Sequence, residues 1–255
     1  MTDWVLLRGL TRESRHWGRF PAHLGAALGD ARVICVDLPG NGKLNGIASL
    51  SSVEAMADWC HAEIARLGIA QPVQVLAMSL GAMVAVAWAA RHPHDIAAAV
   101  LVNTSLRPVS PFYRRLRPAN YLRLLRLFGF GASDRELEKA ILQMTTRLLA
   151  NPAEVIEQWL QWRRESPVTK RNALVQLLAA ARYLAPHGPP LESLLLLAGE
   201  RDALVNPLCS RQLAGQWNVR IAVHPMAGHD LPLDDDAWVL AQIRQWLDSI
   251  RAKTA

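Results

Sequence analysis

A serine, an aspartate and a histidine stand at positions where together they could form a nucleophilic centre. Ser79 lies in the pentapeptide AMSLG, a G-x-S-x-G pattern in which Ala77 replaces the first glycine. Asp202 follows the apolar run LLLLAG (194–199), and His229 lies in MAGHD. A serine hydroxyl is a weak nucleophile that needs a histidine base, and the base needs a carboxylate to orient it. The three residues are therefore a candidate Ser-His-Asp triad for acyl transfer.

Each member of this candidate triad has an alternative interpretation. Ser79 interrupts an apolar run, residues 75–90, and could be a packing residue in the core. His224 is a second candidate for the base, although it is predicted to belong to a strand. Glu200 is a second candidate acid, and Asp202 could simply cap the helix that follows LVNP. Surface positions are predicted for four further histidines, His23, His61, His92 and His94.

The elements that would position these residues follow a strand–helix alternation. Continuous apolar runs favour buried parallel strands over alternating, half-exposed ones, and six such runs occur, at residues 4–9, 32–38, 73–78, 96–103, 194–199 and 219–225. Ser51-x-x-Glu54 predicts a capping box for a helix that extends to about Leu67. Further helices are predicted near residues 80–91, 206–216 and 235–251, the last with Asp234, Asp235 and Asp236 at its N-terminus. This pattern predicts a doubly wound α/β domain, in which ligands bind at the carboxyl ends of the strands.

The alternation stops between Ser105 and Ala185, where no strand pattern is found. This segment carries fourteen Lys and Arg against six acids, a net charge of +8, whereas the remainder carries −2 of the whole-chain +6. Arginine and leucine recur at helical spacing, interrupted by proline and glycine. We therefore expect an α/β core formed by residues 1–104 and 186–255, with a basic helical lid inserted at residues 105–185.

Taken together, four motifs resemble those of the α/β-hydrolase family. They are VDLPGNG (36–42), AMSLG, LLLLAGERDALVNP (194–207) and MAGHDLPLDD (226–235), and the order Ser79, Asp202, His229 is also the family's order. The resemblance implies a mostly parallel sheet of about six strands with the lid over the active site. It also implies an oxyanion hole formed by the backbone N–H groups of Leu10 and Leu80.

The resemblance is incomplete at the first strand, where the family usually has His-Gly and this chain has Arg8-Gly9. Arg8 could be solvated or could bind a substrate carboxylate. A serine nucleophile, instead of the aspartate of dehalogenases and epoxide hydrolases, implies hydrolysis of an ester, thioester or amide. The alternative is a non-catalytic ligand receptor with the same fold.

The basic insert also resembles that of pimeloyl-acyl-carrier-protein methyl ester esterases. This similarity implies that Arg114, Arg115 and Arg117 form an electropositive rim that binds an acyl substrate on an acidic carrier protein. The alternatives are a solvated helical face, in which arginine stems cover apolar surface, and contact with a membrane surface through YLRLLRLF.

Several functions are not indicated by the sequence. No metal-ligand motif or phosphate-binding glycine loop occurs, so no metal or cofactor is predicted, and no nucleic-acid recognition motif accompanies the basic charge. The N-terminus lacks the apolar segment of a signal peptide, and the longest apolar run is too short for a transmembrane helix. Three widely spaced cysteines favour a reducing compartment, and a cytoplasmic location is expected.

Overall fold

The computed structural model describes residues 2–129 and 131–254, without the side chains of residues 128, 129, 253 and 254. Met1, Phe130 and Ala255, which fall inside the predicted domain ranges, lie outside the described residues. Six strands form one sheet: β1 (Trp4–Leu7), β2 (Val33–Val36), β3 (Val73–Met78), β4 (Ile96–Val102), β5 (Leu194–Gly199) and β6 (Arg220–His224).

All six strands are parallel, in the order β2-β1-β3-β4-β5-β6. Each observed strand lies within one of the six predicted runs, because buried parallel strands need apolar side chains on both faces. All six carboxyl ends meet at one edge of the sheet, which is where the candidate catalytic residues follow their strands. The predicted α/β fold class is confirmed.

Eleven helices have described positions, and they lie between and after the strands. They are α1 (Phe20–Ala27), α2 (Val53–Arg66), α3 (Leu80–Arg91), α4 (Phe112–Arg115), α5 (Tyr121–Gly129), α6 (Asp134–Thr145), α7 (Pro152–Glu165), α8 (Lys170–Arg182), α9 (Leu208–Trp217), α10 (Leu231–Asp234) and α11 (Asp236–Thr254). Helices α4 to α8 all fall inside the predicted insert.

Alternate side chains of each strand enter two separate cores on opposite faces of the sheet. Leu7 of β1 packs with Trp88 of α3 in one core, and Leu6 packs with Trp246 of α11 in the other. Because both faces are covered, the sheet is the middle layer of three. Of the strands that the candidate residues follow, β5 is fully buried and β3 nearly so, whereas β6 is a partly exposed edge strand.

Two local predictions need correction, and one helix was not predicted. The side chain that caps α2 is Ser52, which accepts a hydrogen bond from the N–H of Ala55, and Ser51 lies outside the helix. Helix α1 was not predicted, because FPAHLGAA combines proline and glycine with little apolar periodicity. The carboxylate of Asp234 turns away from the last helix toward the histidine loop, whereas Asp235 does accept from an N–H of that helix, that of Trp238.

No helix in the described part of the chain is both long and apolar enough to cross a bilayer. The three cysteines are free thiols, and two of them, Cys60 and Cys209, are buried.

Candidate active site

Ser79 occupies a sharp turn between β3 and α3. Its φ of 56° and ψ of −116° lie in a region that residues with a Cβ rarely adopt. This conformation lifts the side chain out of the apolar run, and Ser79 is partly exposed although its neighbours Met78 and Leu80 are buried. The interpretation of Ser79 as a packing residue does not fit this position, because the turn directs the side chain away from the core.

Asp202 and His229 form a buried hydrogen-bonded pair. Nδ1 of His229 lies 2.6 Å from Oδ2 of Asp202, and the two side chains are 2% and 1% exposed. The other carboxylate oxygen of Asp202 accepts from the N–H groups of Leu204 and Val205 at 2.8 and 2.9 Å. Asp202 therefore orders the turn after β5 and also binds the imidazole, whereas it does not cap α9, whose N-cap residue is Pro207.

The rival base and the rival acid are engaged elsewhere. Nδ1 of His224 accepts hydrogen bonds from the N–H groups of Met226 and Ala227, and its Nε2 lies 3.1 Å from Asp235. Both ring nitrogens of His224 are thus used to hold the loop after β6. Glu200 is exposed and pairs with Arg211 on the surface.

The serine and the imidazole are not joined by a hydrogen bond. Among the described residues, neither Oγ of Ser79 nor Nε2 of His229 has a hydrogen-bond partner within 3.5 Å. The structure therefore brings Asp202 and His229 together and places Ser79 at the same edge of the sheet. Catalytic hydrogen bonds are often long in ligand-free proteins and shorten when substrate binds.

The two backbone groups predicted to form the oxyanion hole are free donors beside Ser79. The N–H groups of Leu10 and Leu80 donate to no atom of the described residues. The backbone after β1 packs closely against the turn at Ser79. A Cβ built on Gly9 would lie 3.1 Å from Cβ of Ser79, and one built on Gly81 would lie 2.5 Å from the carbonyl oxygen of Leu7. Glycine is therefore required at position 81, where a Cβ would collide with backbone, whereas a side chain at position 9 would need Ser79 to shift by a few tenths of an ångström.

A glutamine from the insert holds the same loop. Gln176 of α8 is fully buried, and its Oε1 accepts from the N–H of Thr11 at 2.9 Å. Its Nε2 donates to Asn41 at 2.8 Å and to Ser49 at 2.9 Å. Thr11 has a positive φ of 58°, so this hydrogen bond stabilises an unfavourable turn directly after Leu10. No role was predicted for Gln176, because nothing in the sequence of α8 distinguishes it.

A second residue that was not predicted, Asn103, connects β4 and β5 to the histidine loop. It directly follows β4 with a φ of 47°, and its Oδ1 accepts from the N–H of Gly199 at 2.9 Å. Its Nδ2 donates to the carbonyl oxygens of Gly228 and His229 at 3.2 and 2.6 Å. The position of an amide side chain directly after a buried parallel strand is the sequence signal from which a role for Asn103 could have been predicted.

Arg8 is neither solvated nor free to bind a ligand. It is 3% exposed, and its two terminal nitrogens bind the carboxylate of Asp230 at 3.2 and 2.5 Å. The guanidinium also lies 4.6 Å from the ring centroid of Trp17. Because Asp230 is the neighbour of His229, this ion pair ties the end of β1 to the histidine loop. A substrate carboxylate would have to displace Asp230 to reach Arg8.

The three arginines predicted for the rim differ in their surroundings. Arg115 is used internally, since its guanidinium donates to the carbonyl oxygens of Ala180 and Ala181 at the end of α8. Burial and the nearby Arg107 lower the pKa of Arg115 below its ordinary value. Arg114 lies 6.0 Å from the ring of Tyr113. Arg117 has a buried Nε without a partner.

Asp234 fixes the histidine loop against the insert. It accepts from the N–H of Gly228 at 2.6 Å and from the N–H groups of Arg147 and Leu148 at 2.8 and 3.0 Å. Burial raises the pKa of this carboxyl, although the three N–H donors oppose the rise. A Cβ on Gly199 would lie 2.1 Å from the carbonyl oxygen of Gly228, so β5 and the loop meet without space for a side chain.

A cleft of about 580 Å³ lies between the segment after β1 and α7, separate from the three candidate catalytic residues. Its lining is mixed, with polar residues such as Arg15 and Glu154 beside apolar ones such as Leu149 and Trp162. None of Ser79, Asp202 and His229 lines it.

Comparison with known proteins places the chain in a family. Residues 4–242 match the model of the alpha/beta hydrolase family, and the chain belongs to that family. The predicted family resemblance is thereby confirmed. No curated protein matches the sequence significantly.

Solved structures support the same fold. A thermophilic esterase from Thermogutta terrifontis is similar with a TM-score of 0.77 at 25% identity, over 98% of this chain and 90% of the esterase. BpoC of Mycobacterium tuberculosis H37Rv, a candidate non-heme bromoperoxidase, has a TM-score of 0.77 at 20% identity, over 98% and 93%. A candidate lipase of Acinetobacter baumannii AYE has a TM-score of 0.76 at 20% identity, over 99% and 85%. Membership of this family, with esterases and lipases among the structural neighbours, supports a hydrolase.

Proposed function

We propose that the chain is a serine hydrolase that cleaves a carboxylic ester or thioester through an acyl-enzyme intermediate. The observation that carries the proposal is the buried 2.6 Å pair of His229 and Asp202 at the edge of the sheet where Ser79 occupies its strained turn. A buried carboxylate bound to Nδ1 leaves Nε2 as the nitrogen able to take a proton.

The first half of the reaction forms the acyl-enzyme. Oγ of Ser79 attacks the substrate carbonyl carbon while its proton moves to Nε2 of His229. The negative charge that develops on the carbonyl oxygen is stabilised by the N–H groups of Leu10 and Leu80. Loss of one such donor typically costs roughly 3–4 kcal/mol of barrier. The bond to the leaving alcohol or thiol then breaks, and the imidazolium returns the proton to it.

The second half repeats these steps with water. His229 removes a proton from a water molecule, whose oxygen attacks the acyl carbon. Collapse of the second tetrahedral intermediate releases the acid, and Oγ of Ser79 regains a proton from the imidazolium. Asp202 stays ionised throughout and stabilises the transient positive charge.

Labelling and turnover test the proposal directly. The wild-type protein should hydrolyse p-nitrophenyl esters and react with a fluorophosphonate probe at Ser79. Ser79→Ala should remove the label and lower kcat by about a millionfold. Circular dichroism of the variant should match that of the wild type. A properly folded wild-type protein that neither turns over any ester in a panel of acyl lengths nor takes the label would instead favour a ligand receptor.

A narrower form of the proposal specifies an acyl group carried by an acidic carrier protein. It is supported by exposed apolar side chains on the basic insert, Phe112 at 72% and Leu122 at 71%, near Arg114 and Arg117. Such a surface would bind an acidic partner through charge and apolar contact together. Arg115 is not part of this surface, because it holds the end of α8.

Charge reversal distinguishes carrier binding from simple esterase activity. The double variant Arg114→Glu, Arg117→Glu should lower kcat/KM for a carrier-linked acyl substrate and leave short soluble esters unaffected. Added salt should have the same selective effect. Arg220→Glu on the exposed end of β6 is the matched control. Equal effects on both substrates would rule out carrier recognition by these arginines.

A further inference from the structure

Two histidines and an aspartate meet at the opposite end of the sheet from Ser79. His61 lies in α2, His92 directly follows α3, and Asp95 directly precedes β4. Because β3 and β4 are parallel, a residue before β4 lies at the amino edge of the sheet, whereas Ser79 follows the carboxyl end of β3. This His–His–Asp cluster therefore takes no part in the proposed catalysis.

The three side chains present their ligand atoms to a common space. One nitrogen from each histidine and one carboxylate oxygen of Asp95 all lie within 4.8 Å of one another. The two imidazole rings stack with centroids 4.0 Å apart and planes only 4° from parallel, so one ring must turn before the in-plane lone pairs of both can reach the same ion. Nδ1 of His61 is 2.6 Å from Oδ2 of Asp95. Three different parts of the chain thus supply the cluster.

The groups behind the cluster are arranged as the supports of metal ligands commonly are. Nε1 of Trp88 donates to Oδ2 of Asp95 at 2.6 Å, which fixes the buried carboxylate. Nε2 of His92 lies 3.0 Å from Oδ1 of Asp58, so its Nδ1 is the nitrogen without a carboxylate partner. A histidine that binds a metal usually donates its other ring N–H to a carboxylate in this manner.

Exposure and charge also suit a bound cation. Asp95 is 7% exposed at its side chain and supplies a buried negative charge, whereas His61 is 41% and His92 25% exposed. A solvated ion could therefore reach the histidines from outside while the carboxylate faces it from within. His61 is the more exposed of the two rings.

We propose that His61, His92 and Asp95 bind one divalent transition-metal ion, of which Zn²⁺ is the most suitable, with a fourth position open to water. Two imidazole nitrogens and one carboxylate oxygen favour Zn²⁺, Co²⁺ or Ni²⁺ over Ca²⁺ and Mg²⁺. Zinc–ligand distances of about 2.0–2.2 Å place tetrahedral ligand atoms roughly 3.3–3.5 Å apart. Ligand atoms that lie up to 4.8 Å apart must therefore move together by about 1 Å or slightly more, whereas Nδ1 of His61 and Oδ2 of Asp95, now 2.6 Å apart, must separate for the ion to enter between them. The ion would join α2 to the connection between α3 and β4.

Calorimetric titration of the untagged, chelator-treated protein with Zn²⁺ tests this site. The wild type should bind one equivalent, and its melting temperature should rise with Zn²⁺ concentration. His61→Ala, His92→Ala and Asp95→Asn should each lower the affinity at least about tenfold. His94→Ala is the matched control, because His94 is exposed and adjacent but does not belong to the cluster.

The outcomes are distinguishable from those that concern catalysis. His61→Ala is the primary variant, since His61 is the most exposed ligand and its loss should not prevent folding; circular dichroism checks each variant. Absence of stoichiometric Zn²⁺ binding in the wild type would overturn the proposal. So would equal binding by the wild type, His61→Ala and His92→Ala, which would leave the cluster as a stacked, hydrogen-bonded pair of histidines. Esterase activity is not a readout.

Discussion

Breaking the ion pair of Arg8 and Asp230 should be strongly destabilising, because removal of either partner leaves the other charge buried and unpaired. Arg8→Met keeps an unbranched side chain over Trp17 but leaves the carboxylate of Asp230, 3% exposed, without its cation. Removing one partner of a buried pair costs about 3–5 kcal/mol. For a chain of this size each kcal/mol lowers the melting temperature by about 2–4 °C, so a decrease of about 6–20 °C is expected.

A double-mutant cycle isolates the interaction from the rest of the change. Denaturant unfolding of Arg8→Met, Asp230→Asn and the double variant should show that the double variant loses less than the sum of the two single losses. The coupling free energy should be at least about 1 kcal/mol, since the second substitution removes the unpaired charge that the first creates. Arg66→Met is the control: Arg66 pairs with Glu63 at 2.7 Å, but its side chain is largely exposed, so the melting temperature of this variant should barely change.

The same ion pair should affect catalysis only by holding His229 in position. At temperatures where Asp230→Asn remains folded, we expect a lower kcat with a nearly unchanged KM, because the loop of His229 loses its connection to β1. Additive losses in the cycle, or a shift of less than about 2 °C for Arg8→Met, would refute the reasoning. Arg8 would then be a passive member of the core.

Three further outcomes are expected. Asp202→Asn should lower kcat by about four orders of magnitude with little loss of stability, because its Oδ1 still accepts the two backbone N–H groups of its turn; Glu200→Gln is the neutral isosteric control. Gly199→Ala should destabilise the protein and impair activity, since the added Cβ would lie 2.1 Å from a carbonyl oxygen of the histidine loop. The control is Gly215→Ala in α9, where an added Cβ would have no neighbour within 4 Å, and thermal unfolding should show it to be neutral or stabilising. Burial, and next the positive charge of the neighbouring Arg12, lowers the pKa of His16 well below its ordinary value. As the pH falls below about 6.5, the histidine therefore binds a proton in the unfolded chain before it does so in the folded protein. The free energy of unfolding should consequently decrease from pH 7 to pH 5 more steeply in the wild type than in His16→Phe.

The strands and the order of the candidate triad could be predicted from the sequence because both depend on local signals. Each buried strand is a continuous apolar run, and β3, for example, has the predicted bounds. Ser79 stands between such a run and a helix of small residues. The residues after a parallel strand reach the carboxyl edge of the sheet whatever the rest of the chain does, so Asp202 could be placed there in advance.

The partners of these residues could not be predicted, because they are set by tertiary contacts. Arg8 and Asp230 are 222 positions apart, and although Arg8 lies in the run 4–9 predicted as a buried strand, nothing in the sequence identifies its partner. Asp234 has the local signature of a helix N-terminus, yet backbone donors from the insert compete for its carboxylate. Arg115 likewise lies in a basic segment whose sequence is typical of an exposed surface. Charge alone therefore does not indicate whether a side chain faces solvent or an internal carbonyl group.

The hydrogen bond from Thr11 to Gln176 restricts how this protein could be redesigned. Chimeras that exchange the 105–185 segment between relatives are an obvious route to new substrate preference, but the incoming segment would have to carry an amide side chain at this position of its last helix. Without it, the partly buried N–H of Thr11 would lose its acceptor one residue from Leu10, at a cost of about 0.5–1.5 kcal/mol. Such a chimera would be expected to lose turnover even with its new substrate well bound, and restoring the glutamine should recover it.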